Sequence, residues 1–292
     1  MYHSIFGQLS LLCILFSQLA SIPINDNETT SLHEDESNYT QSITKYLRSS
    51  IINGLPSPTH AFYVKVKVIR RSGQTVFCGG TRINHRWVIT AAHCLVHSGG
   101  ATIAISAGDF TKPNKTKHVF FVDSFYMANG FGFVDHAPIN DIALLLTRHS
   151  MTNDLIEDAI PMCESRQPIG TELTAYGMGS TSNEIYRFPS RLMTTSFTEL
   201  YLIAKADPFR VERCHQSNIC TDSIVPGGSI GHVDHGGPLY ATRCINERPS
   251  FCLYGVISYS FPDPINRFRQ KSVFASLPEH FLWIISRMAL VD

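Results

Sequence analysis

Three short stretches of this 292-residue chain hold side chains able to move a proton or carry a reactive group. Residues 78–94 read CGGTRINHRWVITAAHC and bring His93 next to Cys94. Residues 140–146 read NDIALLL, with Asp141 ahead of an apolar run, and residues 234–239 read DHGGPL, with His235 between Asp234 and two glycines. An imidazole titrates near neutral pH and is the commonest general base. A buried carboxylate at its other nitrogen fixes the tautomer and supports the imidazolium. A serine hydroxyl in reach of such a base becomes a nucleophile, and two backbone N–H groups stabilise the oxyanion that follows. His93 and Asp141, 48 residues apart, have the types needed for the first two parts, and position 235 lies 94 residues further on. That third stretch offers another imidazole, His235, and no hydroxyl.

Such groups need a rigid scaffold, and composition limits what it is. With 16% charged and 43% hydrophobic residues, 19 Gly and 15 Pro, the chain is not a coiled coil, a collagen-like chain or a wholly disordered one. Lys+Arg 24 balances Asp+Glu 24, so neither nucleic acid nor a membrane is expected as partner. The eight cysteines point to an oxidising compartment. Residues 1–20 read as a secretory signal peptide: the apolar run from Leu9 to Phe16 is too short to span a bilayer, and small residues follow, with cleavage expected near Ala20. The mature protein is therefore expected to be secreted and extracellular.

Residues 21–50 set Asp26, Glu28, Glu34, Asp35 and Glu36 against Lys45 and Arg48 and hold glycosylation sequons at Asn27 and Asn38; they read as an acidic, glycosylated prosegment without order. A third sequon stands at Asn114. From Phe62 onward the texture is short strands between turns. Residues 62–69, FYVKVKVI, alternate Lys65 and Lys67 with Val64, Val66 and Val68, as a half-buried strand does. Further runs at 76–78, 87–90, 102–106, 118–122, 142–146 and 252–259 predict a barrel or sandwich. Only the C-terminus reads as helix, with Phe281, Ile284, Ile285 and Met288 on one face and Pro278 near its start. The basic residues Lys65, Lys67, Arg70 and Arg71 read as a solvated face, with a polyanion site as the sharper alternative.

In their order and spacing the three stretches resemble the chymotrypsin-like (trypsin family) serine proteases. Ile51-Ile52-Asn53-Gly54 is similar to that family's mature start, Tyr176-Gly177-Met178-Gly179 to its G-W-G turn, and Gly255-Val256-Ile257-Ser258-Tyr259 to its G-I-V-S-W strand. The resemblance covers residues 51–292 and implies an all-β fold of two six-stranded Greek-key β-barrels with a C-terminal helix and the site between the barrels. It makes His93 the base, Asp141 its orienting partner, and Ile51 with Asp234 the pair that forms on activation. No cofactor and no metal are implied.

Four departures from the family pattern follow. His235 stands at the nucleophile position, and Val233 replaces the oxyanion-hole glycine. In the specificity pocket, Ser229 stands at the floor, Ser258-Tyr259-Ser260 replaces S-W-G, and Gly231 replaces a bridging cysteine. Ser50 precedes Ile51, and the nearest basic residue is Arg48. The family pattern pairs Cys78 with Cys94 and Cys214 with Cys220. Cys163, Cys244 and Cys252 remain, with Cys244–Cys252 or a pair with Cys163 both open and one thiol odd.

The reading is a secreted, catalytically inactive homologue acting by protein binding, as decoy, cofactor or inhibitor of a proteolytic cascade such as complement or another immune cascade. The alternatives are a serine-type endopeptidase by family membership, and a metal site using His93, His235 and Asp141 in the former cleft.

Overall fold

The computed structural model describes residues 51, 54–57, 62–110, 117–151, 160–168, 171–178, 193–199, 214–223, 230–231, 234–245, 248–262 and 270–291. The expectations for residues 1–50, Asn27 and Asn38 included, and for Asn114, Ser229 and Val233 lie outside these residues.

Alternation builds the first barrel. After the two-residue β1 (Leu55–Pro56), β2 (Tyr63–Ile69) turns Val64, Val66 and Val68 inward and Lys67 to solvent, with Lys65 half-buried. It pairs with β3 (Thr75–Arg82), which pairs with β4 (Trp87–Thr90). Next come β5 (Thr102–Gly108), β6 (Lys117–Met127), a small hairpin of β7 (Gly132–Val134) and β8 (Ala137–Ile139), and β9 (Ala143–Thr147). The strands close as β2-β3-β4-β9-β6-β5. β9 is buried along its whole length, so the residues after Asp141 form a continuous apolar run and not an alternating one.

The second half contains β10 (Glu172–Gly177), β11 (Met193–Glu199), β12 (Asn218–Ser223), β13 (Pro238–Ile245), β14 (Arg248–Pro262) and β15 (Gln270–Ser276). Its order is β1-β11-β10-β13-β14-β15-β12, and the β11–β12 pairing returns the sheet on itself as a ring of six strands with β1 added to β11. The sequence expectation of a trypsin-like all-β fold is met. One apolar cluster runs from Val66, Trp87 and Leu145 in the first barrel to Tyr240, Leu253 and Val256 in the second, so the halves share a core.

The chain ends in α1 (Leu277–Ala289), which opens on Pro278, a residue suited to the first turn because its missing N–H has no partner there. Its inner face differs from the expected one. Leu277, His280 and Ile284 are buried, whereas Ile285 is 41% exposed. His280 turns inward toward polar groups: Nδ1 donates to Ser276 O at 2.7 Å, and Nε2 lies 3.2 Å from the side-chain amide of Asn140. Among the described residues no helix is long and apolar enough to cross a membrane.

Candidate functional site

Three connections bring the reactive side chains together. β4 ends at Thr90, and a 3-10 turn, Ala92–Leu95, carries His93; the Cys78–Cys94 disulfide ties that turn to β3. Asp141 sits between β8 and β9, after Asn140, whose φ is +49°. His235 lies in the turn before β13 and reaches the first barrel through its own backbone, its carbonyl accepting from Gly79 N–H on β3 at 2.7 Å. The site is therefore at the junction of the barrels.

A proton chain runs through it. Asp141 is fully buried, and its Oδ1 accepts from the His93 backbone N–H at 2.8 Å. Its Oδ2 accepts from His93 Nδ1 at 2.7 Å and from the Ser258 hydroxyl at 2.5 Å. Burial pushes the carboxyl's pKa up. The hydrogen bonds and charge of His93, then the Ser258 hydroxyl, outweigh burial and hold it below the usual carboxylate value. An ionised Asp141 takes the Nδ1–H of His93 as a hydrogen-bond donor, and with His93 neutral this leaves a lone pair on Nε2, which lies 3.0 Å from His235 Nδ1. The network then requires His235 to donate from Nδ1. The two rings meet edge to face, centroids 4.8 Å apart.

This arrangement decides the chemistry at position 235. The atom facing the base is a ring N–H nitrogen, whose remaining electron pair belongs to the aromatic system. Removing its proton makes an imidazolate, not a free hydroxyl oxygen. Glycines fix the backbone around it. Gly236 has φ +84°, and a Cβ there would overlap Gly79 O and Thr90 Oγ1. Gly236 N–H donates to Ile257 O at 2.8 Å and Gly237 N–H to Asp234 O at 3.0 Å.

The remaining site residues are spread around this chain. Ser258 occupies a position where the β14–β15 register shifts, Ile257 facing Phe274 and Tyr259 facing Val273, so the extra residue turns its hydroxyl to Asp141. Its sequence position suggested a pocket strand; its bond to the carboxylate had no signal in residue spacing. Tyr259 and Ser260 continue β14 and are half-buried. Ile51 is fully buried beside Leu173, Ile219 and Ile230 in the second core. Asp234 is also fully buried, its Oδ2 accepting from Gly231 N–H at 2.8 Å while its carboxylate packs on Gly177, where a side chain would collide. Tyr63, buried nearby, has its phenol pKa pushed up by burial and then by the charge of Asp234.

Among the described residues the disulfides are Cys78–Cys94, Cys214–Cys220 and Cys163–Cys252. The Cys244–Cys252 alternative is replaced: Cys252 stands opposite Ala241 and Cys244 opposite Pro249, three positions off register, while Cys163 N–H bonds Leu253 O and lies alongside β14. As for metal ligation, Asp141 Oδ2 is already committed to His93 and Ser258, and among the described residues no three His, Cys, Asp or Glu converge on one point.

A family model for trypsin matches residues 51–284. Neutrophil elastase of Mus musculus is 26% identical over 246 residues, covering 81% of this chain and 87% of that protein. Azurocidin of Homo sapiens is 27% identical over 183 residues, covering 61% of this chain and 67% of its own length. In fold, the chain is similar to neuropsin, a serine protease expressed in the limbic system of mouse brain, with a TM-score of 0.62 at 18% identity, covering 80% of this chain and 98% of that one.

Proposed function

The chain belongs to the trypsin family, and we propose that it is a secreted member that has lost catalysis and acts by binding another protein. The observation that carries this is the imidazole of His235, its Nδ1 3.0 Å from the Nε2 of His93. At the point where the family's nucleophilic oxygen stands, the base meets an N–H. Asp234, Gly236, Gly237 and Pro238 leave no register in which a serine takes that place. Loss of the nucleophile alone costs about 10⁶ in turnover in a hydrolase with the same triad on an unrelated fold, roughly 8 kcal/mol.

The changes at Val233, Gly231 and Ser50 point the same way. A β-branched residue resists backbone conformations open to glycine, and a trypsin-like cut at Arg48 leaves two serines ahead of Ile51. The role that remains for a retained, solvent-facing fold is recognition, as decoy, cofactor or inhibitor in a proteolytic cascade. The disulfides suit an oxidising, extracellular setting.

The competing reading is a serine-type endopeptidase, which family membership favours. Purified protein, shown free of other proteases, is incubated with casein and a panel of fluorogenic peptides, and separately with a fluorophosphonate probe. No turnover and no adduct at position 235 are expected. Turnover that disappears in His93→Ala, or a stoichiometric adduct mapped to residues 234–238, overturns the proposal.

A further inference from the structure

Two imidazole nitrogens stand side by side at the junction of the barrels, His93 Nε2 and His235 Nδ1, 3.0 Å apart with one proton shared between them. The same spacing is that of two ligands of one metal ion. Nitrogens about 2.0–2.1 Å from a cation stand about 2.9 Å apart at a right angle and about 3.3 Å apart at the tetrahedral angle. The first value belongs to neighbouring positions of a square-planar or tetragonal copper(II) site, the second to zinc.

The far side of His93 is built as the outer sphere of such a site. A metal-binding histidine ordinarily donates its other ring N–H to a carboxylate or carbonyl, which fixes the tautomer and raises the basicity of the ligating nitrogen. His93 Nδ1 donates to Asp141 Oδ2 at 2.7 Å. That carboxylate is fully buried and is held as well by the His93 backbone N–H and the Ser258 hydroxyl. A site with Asp141 as third ligand breaks these bonds, whereas a two-nitrogen site uses them. The near side is open: the His93 side chain is 21% exposed and His235 is half-buried, so water can complete the coordination. The sulfur 3.9 Å from His93 Nε2 belongs to the Cys78–Cys94 bridge and supplies no thiolate. The backbone at 235 is tied to Gly79 N–H through its carbonyl, so the ring can turn toward a cation without moving the loop.

We propose that His93 Nε2 and His235 Nδ1 together bind one divalent transition-metal ion, copper(II) ahead of zinc, in place of the proton they share. The protons balance. His93 keeps its proton on Nδ1 and ligates as it stands. The Nδ1 proton of His235 passes through solvent to Nε2 of the same ring, which then ligates through Nδ1 as a neutral imidazole. One neutral hydrogen bond is exchanged for two coordinate bonds. Imidazole suits copper and zinc, with copper the tighter, whereas magnesium and calcium take oxygen ligands. A serine at 235 brings no second imidazole, so the residue that removes the nucleophile is the one that makes the site.

The test is titration of the full chain, prepared without a histidine tag, with copper(II), followed by calorimetry and by electron paramagnetic resonance. One ion per chain is expected, with superhyperfine splitting from two imidazole nitrogens, and zinc competing only at higher concentration. His235→Ser and His93→Ala are each expected to remove one of the two nitrogens from the spectrum. Asp141→Asn is expected to weaken binding about 10–100-fold, since it disturbs the tautomer of the ligand it orients. His85→Ala/His149→Ala, which removes two exposed histidines beyond the ends of β4 and β9, is expected to leave the spectrum and the affinity unchanged. Melting of each variant without metal shows that it is folded.

Three outcomes overturn the proposal: absence of one-to-one binding; a spectrum with fewer than two nitrogens in the parent chain; or binding that persists in His235→Ser and disappears in His85→Ala/His149→Ala. A cleavage assay on the same preparation keeps this site distinct from the loss of catalysis. Turnover abolished by His93→Ala refutes that loss, whereas an inert protein that binds no copper refutes only the metal site.

Discussion

Replacing Asp141 by Asn measures what the proton chain contributes to the fold. The buried carboxylate accepts three hydrogen bonds, from His93 N, His93 Nδ1 and Ser258 Oγ. An amide of the same shape keeps one acceptor oxygen and turns an NH2 group toward the other donors. The Ser258 hydroxyl can rotate. His93 can answer only by moving its proton to Nε2, which then meets the Nδ1–H of His235 across 3.0 Å and forces a second tautomer change. Hydrogen bonds to a charged acceptor contribute about 1.5–3 kcal/mol each, and two are disturbed. Removing the cost of burying the charge offsets part of that, so the net loss is about 2–4 kcal/mol.

For a domain of this size that is a fall of about 5–12 °C in melting temperature at neutral pH. The pH dependence has a definite sign. The carboxyl is held below its unfolded value, so its contribution is present above about pH 4 and disappears as pH falls through the folded pKa. The gap between parent and Asp141→Asn should therefore close in acid. Thermal melts followed by circular dichroism from pH 7 to pH 3 read both effects. A variant that melts within about 1 °C of the parent at pH 7 refutes the reasoning.

Three further outcomes are expected. His235→Ser, prepared with Ile51 as first residue, should not approach ordinary protease rates on peptide esters, because Val233 stands where the family resemblance puts an oxyanion-hole glycine and one such donor is worth about 10²–10³ in rate; adding Val233→Gly should raise hydrolysis, and ordinary rates from the single variant would show an intact remaining site. Burial lowers the pKa of His280, so its neutral form supports the fold above about pH 6.5 and that support is lost as pH falls through the folded value; His280→Leu should flatten the stability profile below about pH 6.5, and an unchanged profile counts against it. Removing Cys163–Cys252, which spans 89 residues, should cost about 4–5 kcal/mol, against about 2 for Cys214–Cys220, which spans 6, in denaturant titrations of the paired Cys→Ala variants; the reverse order refutes the assignment of the long bridge as the stronger constraint.

Much of this is written locally in the chain. The alternation of FYVKVKVI sets the inner and outer faces of β2 without reference to anything distant, and the apolar run after Asp141 announces a strand buried on both sides. His93, Asp141 and His235 are legible because each lies inside a motif of fixed order. Other features depend on which strands become neighbours, and no local pattern reports that. Cys163 finds Cys252 because residues 161–163 lie along β14, whereas hairpin logic favours Cys244. Ser258 reaches Asp141 through a register shift that residue alternation does not encode. Apolar periodicity put Ile285 on the inner face of α1; His280 takes that side because Asn140, far away in sequence, offers it a polar partner. The basic run at 65–71 reads as one cluster, but the structure divides it, sending two arginines to loops and joining Lys117 to the two lysines.

The backbone at position 235 is held by the Gly79 N–H and by the glycines that follow it, and none of those restraints passes through the residue's side chain. Residue 235 is in this sense a socket. A lineage can exchange what it carries with little effect on folding, so catalysis and architecture are separable in descent. An ancestor can lose its chemistry in one step and still pass on a disulfide-braced frame whose outer surfaces then vary free of any duty to a substrate.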